Sequence, residues 1–346
     1  MKHQTTRYGE IPFYKIGTFG NTADAFISKK LFLEYKTKYS FPKKGDILIS
    51  ASGTIGRAVI YDGKPAYFQD SNIVWIDNDE TLVKNDFLFY AYSNVKWNTE
   101  HTTILRLYND NFRNTLIPLP SLNEQSAIAN ILSGLDRYLC ALDALILKKE
   151  GVKKSLSFEL LSQRKRLKGF NQAWQRVRLG DIANYLTSNL SVEQITQQGE
   201  IKVYDVNNFI GYTDTTFISD KPYISIVKDG SVGRVRILPP KTNILSTMGA
   251  LIANHRTTTE FLFYLLSNFD FKNFTSGSII PHIYFKDYKE KTIFLPPLNE
   301  QSAIANILSA LDNEIASLKN KKRQFENIKK ALNHDLMSAK IRVLKK

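Results

Sequence analysis

The stretch LNEQSAIANILSGLD, Leu122 to Asp136, decides the architecture, because it returns as LNEQSAIANILSALD from Leu298 to Asp312. The copies lie 176 residues apart and differ only at Gly134 and Ala310. This period is far too long for a solenoid and indicates two duplicated domains. Weaker matches precede each copy in the same order: GEIPFY and GEIKVY, GTIGR and GSVGR, FLFYAYSN and FLFYLLSN. Each half is therefore predicted to be one module followed by one tail.

The modules are predicted to be mixed α and β domains. KKGDILISASGTIGRAVIY, from Lys43 to Tyr61, contains two β-rich apolar runs around a Gly-x-x-Gly turn. ISIVKDGSVGRVRIL, from Ile224 to Leu238, repeats that layout. The segments DFLFYAYSN and TEFLFYLLSN are predicted to be short helices.

The tails are predicted to be long helices. Asn123 and Asn299, each before Glu and Gln, favour a helix start. Apolar residues then recur at alternating spacings of three and four, which is a heptad seam. The seam consists of Ile128, Leu132, Leu135, Leu139, Leu142, Ile146, Leu156 and Leu160 in the first tail, and Ile304, Leu308, Leu311, Ile315, Leu318, Phe325, Leu332 and Leu336 in the second. About 45 helical residues at 1.5 Å each would span roughly 60 to 70 Å.

The charge pattern predicts how these helices pair. The chain carries 47 Lys plus Arg and 33 Asp plus Glu, a net charge of +14. Residues 1–121 and 169–297 hold only +3 and +2, whereas 122–147, 148–168, 298–318 and 319–346 hold −2, +6, −3 and +8. Antiparallel packing places each acidic half beside the partner's basic half. We therefore expect an antiparallel coiled coil with pseudo-twofold symmetry.

The amino-acid composition excludes several classes of protein. With 43% apolar residues the chain can build cores, which excludes disorder as the main state, and its basic charge favours a polyanionic partner such as nucleic acid. A single cysteine excludes a disulfide framework and cysteine-cluster metal sites. The N-terminus has no signal-peptide pattern, and no apolar run is long enough for a membrane span. We expect a cytoplasmic protein with no membrane partner.

Catalytic motifs are absent from the sequence. The Gly63-Lys64 pair is followed by Pro65, so there is no phosphate-binding loop, and no Asn-Pro-Pro-aromatic motif of an amino-methyltransferase occurs. The five histidines lack metal-ligand spacing. Cys140, between Leu139 and Leu142, is predicted to be a buried structural thiol. We expect no cofactor, no metal and no catalysis by the chain alone.

The duplicated stretches LPSLNEQSAIANILSGLD and LPPLNEQSAIANILSALD resemble the conserved region of specificity subunits of type I restriction-modification systems. The second module adds Trp174 followed by LGDI (Leu179 to Ile182) and SGSIIPHIYFKDY (Ser276 to Tyr288), which are similar to the family's entry and exit patterns. The resemblance covers essentially the whole chain.

The resemblance implies a non-catalytic subunit with two target recognition domains, each reading half of a bipartite, asymmetric site in the DNA major groove. It implies that the helices set the spacer and dock two modification (methyltransferase) subunits, through which restriction subunits join. The fold class is then α+β, with two mixed α/β domains separated by the long antiparallel helices. The expected domains are 1–121 and 169–297 for recognition, and 122–168 and 298–346 for the helices.

One departure from the family pattern concerns the first module. It has only eight residues before Gly9 and no counterpart of Trp174 and LGDI, whereas Gly199 lies 25 positions after Trp174. We expect the first recognition domain to lack its opening strand or strands. A truncated or recombined gene, or completion of the domain by the C-terminal segment or another chain, would explain this.

Three groups of residues are candidates for DNA contact. Arg57 and Arg234 follow the Gly-x-x-Gly turns and suit a phosphate or a guanine edge, although a tight turn with a solvated arginine explains them equally well. The resemblance places a polar segment near the DNA, which a simple hydroxyl-rich turn also explains: Thr99, His101, Thr102, Thr103 and Arg106 in one copy, Thr275, Ser276, Ser278 and His282 in the other. A third group aligns loosely, and ordinary loop polarity explains it as well: Gln69, Ser71 and Asn72 with Ser246 and Thr247.

The identical Asn-Glu-Gln residues are candidates for partner docking. Helix capping explains why these residues occur at a helix start. It does not explain why the identity between the two copies extends to Asp136 and Asp312. Two identical surfaces favour two copies of one partner. The predicted docking residues are Asn123, Glu124, Gln125, Asn299, Glu300 and Gln301.

Two rival functions remain open from sequence. A basic coiled-coil scaffold would show no salt-sensitive affinity for duplex DNA. A stand-alone methyltransferase or nuclease would bind a cofactor, and the missing motifs argue against it.

Overall fold

The computed structural model describes residues 4–68, 72–97 and 106–344. The chain divides into two compact units. Unit 1 consists of Met1–Asp143 and Asn320–Lys346, and unit 2 of Ala144–Lys319. The unit boundaries therefore fall within the two long helices.

In unit 1 the central sheet has the order β4-β3-β5 and is antiparallel throughout, and β1 and β2 form a separate hairpin. All four residues of β3 are buried, because strands cover both of its edges and helix α2 covers one face. The strands are β1 Ile11–Phe13, β2 Ala25–Ile27, β3 Ile47–Ser50, β4 Ala58–Ile60 and β5 Ile73–Ile76, and the short helices are α1 Lys29–Lys38, α2 Asn85–Tyr92 and α3 Asn109–Arg113.

Two long helices follow the modules, α4 Leu122–Leu161 and α7 Leu298–Met337, each of 40 residues. They end before the predicted limits of 168 and 346, because the chain adopts left-handed backbone at Gln163 (φ 63°) and Ala339 (φ 55°), which breaks the helical hydrogen-bond pattern. All sixteen predicted seam residues are buried or half-buried.

Unit 2 has a larger set of sheets, with strand orders β11-β10-β13-β7, β12-β8-β9, β16-β6 and β14-β15. The central strand β10 is buried at all five residues and pairs antiparallel with β11 and β13. The strands are β6 Gln175–Arg178, β7 Ala183–Thr187, β8 Ile201–Tyr204, β9 Phe209–Thr213, β10 Tyr223–Val227, β11 Val235–Leu238, β12 Thr242–Ile244, β13 Met248–Ala253, β14 Thr275–Ser276, β15 His282–Ile283 and β16 Thr292–Leu295, and the short helices are α5 Thr259–Ser267 and α6 Phe285–Tyr288.

The modules correspond strand for strand around the predicted turns. In both, antiparallel strands flank the Gly-x-x-Gly turn, β3 and β4 in unit 1 and β10 and β11 in unit 2, and the helices predicted from DFLFYAYSN and TEFLFYLLSN are α2 and α5. In unit 2, β7 covers the outer edge of β13 and β6 pairs with β16. The described residues of unit 1 contain no strand in either position.

Each module packs on the segments of α4 and α7 that belong to its own unit. In unit 1, Phe87 and Tyr90 of α2 share a core with Ile128 and Leu132 of α4 and with Leu336 of α7. In unit 2, the main core includes Leu160, Ile304 and Leu308 together with residues of the sheets and of α5. Burial of these apolar side chains is the main stabilising contribution in each unit.

Four of the five ion pairs between α4 and α7 among the described residues join the acidic half of one helix to the basic half of the other, as the charge pattern predicts, and Glu150–Lys319 joins the two basic halves. In unit 1 the α4 position rises from Asp136 to Asp143 as the α7 partner falls from Lys329 to Lys322. In unit 2 it rises from Lys149 to Lys153 as the partner falls from Glu314 to Asp312, so the helices run antiparallel in both units. The pairs are Asp136–Lys329 and Asp143–Lys322 (2.7 Å) in unit 1, and Lys149–Glu314 (2.7 Å), Glu150–Lys319 (2.6 Å) and Lys153–Asp312 (2.5 Å) in unit 2. Exposed pairs contribute about 0.2 to 1 kcal/mol each, so they select the orientation more than they stabilise it.

Two of these pairs belong to equivalent triads that join module and helices. In unit 1, Asp136 accepts hydrogen bonds from the Tyr90 hydroxyl (2.7 Å) and from Lys329, whose ammonium lies 5.6 Å from the tyrosine ring centroid. In unit 2, Tyr264 donates to Asp312 at 2.9 Å, and Lys153 completes the triad. Burial, and secondarily the bonded carboxylate, raise the pKa of both tyrosines, so both remain neutral donors.

Because each unit contains an equivalent triad, the same substitution can be tested for its effect on stability in both units. Asp136→Asn removes the charge that Tyr90 and Lys329 share, and should lower the free energy of unfolding of unit 1 by about 1 kcal/mol. Asp312→Asn should have the same effect on unit 2, because its contacts are equivalent. Hydrogen exchange of β3 and β10 amides measures each unit separately, and an unchanged exchange rate in both variants would show that the triads contribute nothing.

The predicted burial of Cys140 is wrong. The thiol is exposed, while Leu142 beside it is buried. The seam turns Leu142 toward the core, and residues two positions apart on a helix point in different directions.

No helix in the described part of the chain combines the length and apolar character that a membrane crossing needs.

Candidate nucleic-acid interface

The Gly-x-x-Gly turn of unit 1 joins β3 to β4 and is built for glycine. Gly53 and Gly56 have φ values of 68° and 81°, a region that other residues rarely adopt. A Cβ atom on Gly56 would lie 2.3 Å from the indole nitrogen of Trp97. The turn presents Arg57, which is exposed and donates to the carbonyl of Phe19 at 3.0 Å.

The turn of unit 2 has the same construction between β10 and β11. Gly230 and Gly233 have φ values of 83° and 81°, and a Cβ atom on Gly233 would lie 2.6 Å from a ring carbon of Phe271. Arg234 follows and is exposed. An aromatic ring therefore supports the second glycine in both units and leaves the next arginine at the surface.

Backbone hydrogen bonds gather the three predicted groups around the turn of unit 1. Ala51, two residues before Gly53, donates its N–H to the carbonyl of Asn72 (2.7 Å) and accepts from the N–H of Leu107 (2.9 Å). Ser52 forms an antiparallel bridge with Arg106. The turn, Asn72 and Arg106 thus form one surface, although sequence placed them in separate groups.

Unit 2 repeats this arrangement. Lys228 donates its N–H to the carbonyl of Thr247 (3.1 Å) and accepts from the N–H of Ile283 (2.9 Å), and Asp229 bridges His282. The loose alignment of Asn72 with Thr247 therefore corresponds to equivalent backbone positions. We call the turn and the two segments bonded to it the reading edge of each unit.

Asp229 is a member of the reading edge that the sequence did not single out. Its carboxylate lies 2.7 Å from Nδ1 of His282, and both side chains are about one-third exposed. This contact fixes the imidazole ring and leaves Nε2 available to a ligand. In the sequence, Asp229 could have been found from its position directly before the turn, which is the position of Ser52 in the first module.

The remaining predicted residues of unit 2 lie beside His282. Thr275 and Ser276 form β14, which pairs with β15, and Thr275 donates its hydroxyl to the carbonyl of Phe271 at 2.9 Å. Ser276 makes a long contact of 3.5 Å with the carbonyl of His282, and Ser278 is exposed. The predicted Gln69, Ser71, Thr99, His101, Thr102 and Thr103 lie outside the described residues.

The prediction that the Glu and Gln side chains form a docking surface is wrong, because they point inward. Glu124 is 8% exposed, and Gln125, Glu300 and Gln301 are fully buried. A side chain inside its own unit cannot meet a partner. Of the six predicted docking residues, Asn123 and Asn299 are exposed.

The two glutamines instead fasten each module to its helix. The Gln301 amide donates to the carbonyls of Arg256 (2.9 Å) and Pro296 (2.8 Å). Its oxygen accepts from the N–H of Thr258 (2.9 Å) and the hydroxyl of Thr257 (3.0 Å). The Gln301 side chain thus makes hydrogen bonds inside its own unit, and we call this set of bonds the glutamine lock.

Gln125 makes the equivalent bonds in unit 1. Its amide donates to the carbonyls of Leu82 (2.9 Å) and Pro120 (2.8 Å), and its oxygen accepts from the N–H of Lys84 (2.8 Å). The same lock therefore holds the start of α4 to the loop before α2.

The described residues contain no group of three or more His, Cys, Asp or Glu placed to hold a metal ion. The reading edges offer cationic, hydroxyl and imidazole groups on rigid backbone. Such groups suit contact with phosphates and base edges.

Comparison with known proteins identifies the family. The family model for the type I restriction modification DNA specificity domain matches residues 1–149 and again 171–327. The chain belongs to this specificity-domain family. The two matches correspond to the two copies of the repeat.

Individual relatives of this specificity-domain protein carry related names. A Haemophilus influenzae protein named as a type I restriction enzyme specificity subunit is 64% identical over 133 residues, which cover 38% of this chain and 34% of that protein. The type I restriction enzyme MjaVIII specificity subunit of Methanocaldococcus jannaschii is 25% identical over 362 residues, covering 92% of this chain and 84% of the relative.

Solved structures show the same fold. The S subunit of a type I restriction-modification system from M. genitalium superposes with a TM-score of 0.65 at 20% identity, covering 97% of this chain and 91% of that one. A chain from a structure describing complex assembly and conformational transition of the type I R-M system gives 0.53 at 16% identity, covering 85% and 82%.

Proposed function

We propose that the chain is the DNA-recognition subunit of a type I restriction-modification complex and that each reading edge contacts one half of a bipartite DNA site. The observation that carries the proposal is the duplicated reading edge: equivalent backbone bonds present Arg57 and Arg106 in unit 1, and Arg234 and His282 in unit 2. Membership of the specificity-domain family and the basic net charge support it.

The residues that differ between the edges would read different bases. Arginine pairs with the O6 and N7 acceptors of guanine, whereas an imidazole or hydroxyl makes shorter single contacts. Arg106 in unit 1 stands where unit 2 has His282, held by Asp229. Two unlike half-sites, and hence an asymmetric target, follow from this difference.

The rest of the proposed assembly concerns the helices and partners. In this proposal the two recognition domains are related by pseudo-twofold symmetry, and α4 and α7, antiparallel in each unit, set the spacer between half-sites. Two modification subunits dock at the exposed surface around Asn123 and Asn299, restriction subunits join through them, and the chain catalyses no step itself. The complex acts in the cytoplasm, where its DNA target lies.

DNA binding gives the direct test. The chain should bind duplex DNA with an affinity that falls at least roughly 100-fold between about 50 and about 200 mM salt, because phosphate contacts release counterions. Arg234→Ala should weaken specific binding about tenfold and relax the sequence preference of one half-site. Competition binding with randomised duplexes measures both effects.

Arg176→Ala is the matched control, because Arg176 is an exposed arginine of unit 2 outside the reading edge. It should leave the sequence preference unchanged. Sequencing of modified DNA from cells that express the chain with its modification subunits should reveal a bipartite motif. Salt-independent binding, or methylation indifferent to the presence of the chain, would favour the scaffold alternative.

A further inference from the structure

The loop between β14 and β15 of unit 2 carries two adjacent isoleucines at the surface. Ile279 is 93% exposed and Ile280 is 54% exposed. Neither side chain belongs to the apolar clusters that the described residues of unit 2 form. Single exposed aliphatic residues are common on protein surfaces, so the position of this pair in the fold decides its meaning.

The loop is held in one tight conformation. Gly277 has a φ value of 89°, and a Cβ atom at this position would overlap the carbonyl oxygen of Ile280. Only glycine fits here, because it has no side chain and adopts left-handed backbone without strain. The strands β14 and β15 pair antiparallel on either side of the loop and fix its two ends.

A backbone hydrogen bond fastens the loop to the Gly-x-x-Gly turn. The N–H of Gly230, the first glycine of the turn, donates to the carbonyl of Pro281 at 2.9 Å. The next residue, His282, contacts the carboxylate of Asp229. Since the two isoleucines directly precede this anchored proline, they belong to the reading edge of unit 2.

The strand that follows the loop has one buried and one exposed face. Ile283 is 1% exposed and packs in the main core of unit 2. His282 and Tyr284 lie on the other face, because side chains alternate along extended backbone. Their rings are nearly parallel, with centroids 6.4 Å apart, and Tyr284 is 49% exposed. The surface of the hairpin therefore includes an imidazole and a phenol as well as the two isoleucines.

The chemistry of the DNA major groove determines what such side chains can meet. The base edges there present hydrogen-bond donors and acceptors, and the only methyl group among them is the C5 methyl of thymine. Arginine and histidine suit the polar groups, whereas an isoleucine side chain has no donor or acceptor. On a surface that contacts base edges, the thymine methyl is the group that can cover an isoleucine with apolar atoms.

We propose that Ile279 and Ile280 recognise a thymine methyl group in the half-site that unit 2 reads. The contact removes apolar atoms of both partners from water, which favours thymine over a base without the methyl group at that position. This inference rests on the proposed function and deepens it by naming a base and the residues that select it.

Replacement of thymine by uracil tests the contact, because it removes one methyl group from the DNA and leaves every hydrogen-bonding group in place. The half-site of unit 2 is the one whose sequence preference Arg234→Ala relaxes. Within it, uracil at one thymine position should weaken binding by the unmodified chain roughly fourfold. The Ile279→Ala/Ile280→Ala double variant should bind the thymine duplex more weakly than the unmodified chain does, and should bind the thymine and uracil duplexes equally.

Leu298→Ala is the matched control. Leu298 is also an exposed aliphatic residue of unit 2, but it lies at the start of α7 and outside the reading edge. This variant should keep the preference for thymine over uracil.

The inference and the proposed function fail in different ways. Equal binding of thymine and uracil duplexes by the unmodified chain at every position, or a half-site of unit 2 without thymine, would overturn the inference and leave sequence-specific binding intact. So would a thymine preference that survives in the double variant. Binding without any sequence preference would overturn both proposals. Because the uracil duplexes change only the DNA, their comparison does not depend on how the double variant folds.

Discussion

Glu300→Ala is expected to lower the free energy of unfolding of unit 2 by about 3 to 5 kcal/mol. The side chain is fully buried and accepts from both Arg166 and Trp174. Its removal leaves the indole N–H without an acceptor and Arg166 without its carboxylate partner, at the junction of α7, β6 and the end of α4. Hydrogen exchange of β10 amides under graded denaturant measures the loss.

The repeat supplies a matched control for this substitution. Glu124→Ala changes the equivalent residue in unit 1, where no side-chain partner is present among the described residues, and should lower the free energy of unfolding of that unit by less than about 1 kcal/mol. Equal losses in the two units would mean that the hydrogen bonds to Glu300 do not stabilise unit 2.

Gln301→Ala is expected to lower the free energy of unfolding of unit 2 by about 3 kcal/mol, because it leaves buried backbone groups without hydrogen bonds. The affected groups are the carbonyls of Arg256 and Pro296 and the N–H of Thr258. Gln125→Ala should destabilise unit 1 to a similar extent. Chemical denaturation followed by circular dichroism and by hydrogen exchange of each unit measures both.

Asn123→Ala is the control for both glutamine variants. Asn123 belongs to the same repeated stretch and is exposed, with no side-chain hydrogen bond among the described residues. Its substitution should leave the stability of unit 1 unchanged. A loss as large as that of Gln125→Ala would mean that the stretch stabilises the unit through helix initiation and not through the glutamine lock.

The buried face of the long helices could be predicted from the sequence, whereas the exposure of Cys140 could not. The seam residues were predicted correctly as inward-facing, because helical periodicity reports directly which face is apolar. Cys140 was predicted wrongly, since it lies between seam residues in sequence but is exposed on α4.

The role of the repeated Glu and Gln residues could not be read from the sequence. Polar residues are usually exposed, so identity between copies favoured a shared partner. In the fold the partner of Gln301 is the chain's own loop before α5, more than 40 residues away in sequence. Only three-dimensional contact shows that a polar side chain is satisfied internally.

By itself, the sequence determined the duplication, the two long helices and their complementary charge pattern. These features depend on periodicity, charge and repetition, which are properties of the chain read in order. Only the tertiary structure shows that backbone hydrogen bonds of Ala51 and Lys228 bring three distant segments together in each reading edge. Only the tertiary structure shows that Glu300 has hydrogen-bond donors that Glu124 lacks. Both depend on which groups meet in space, and long-range backbone hydrogen bonds leave no trace in local sequence.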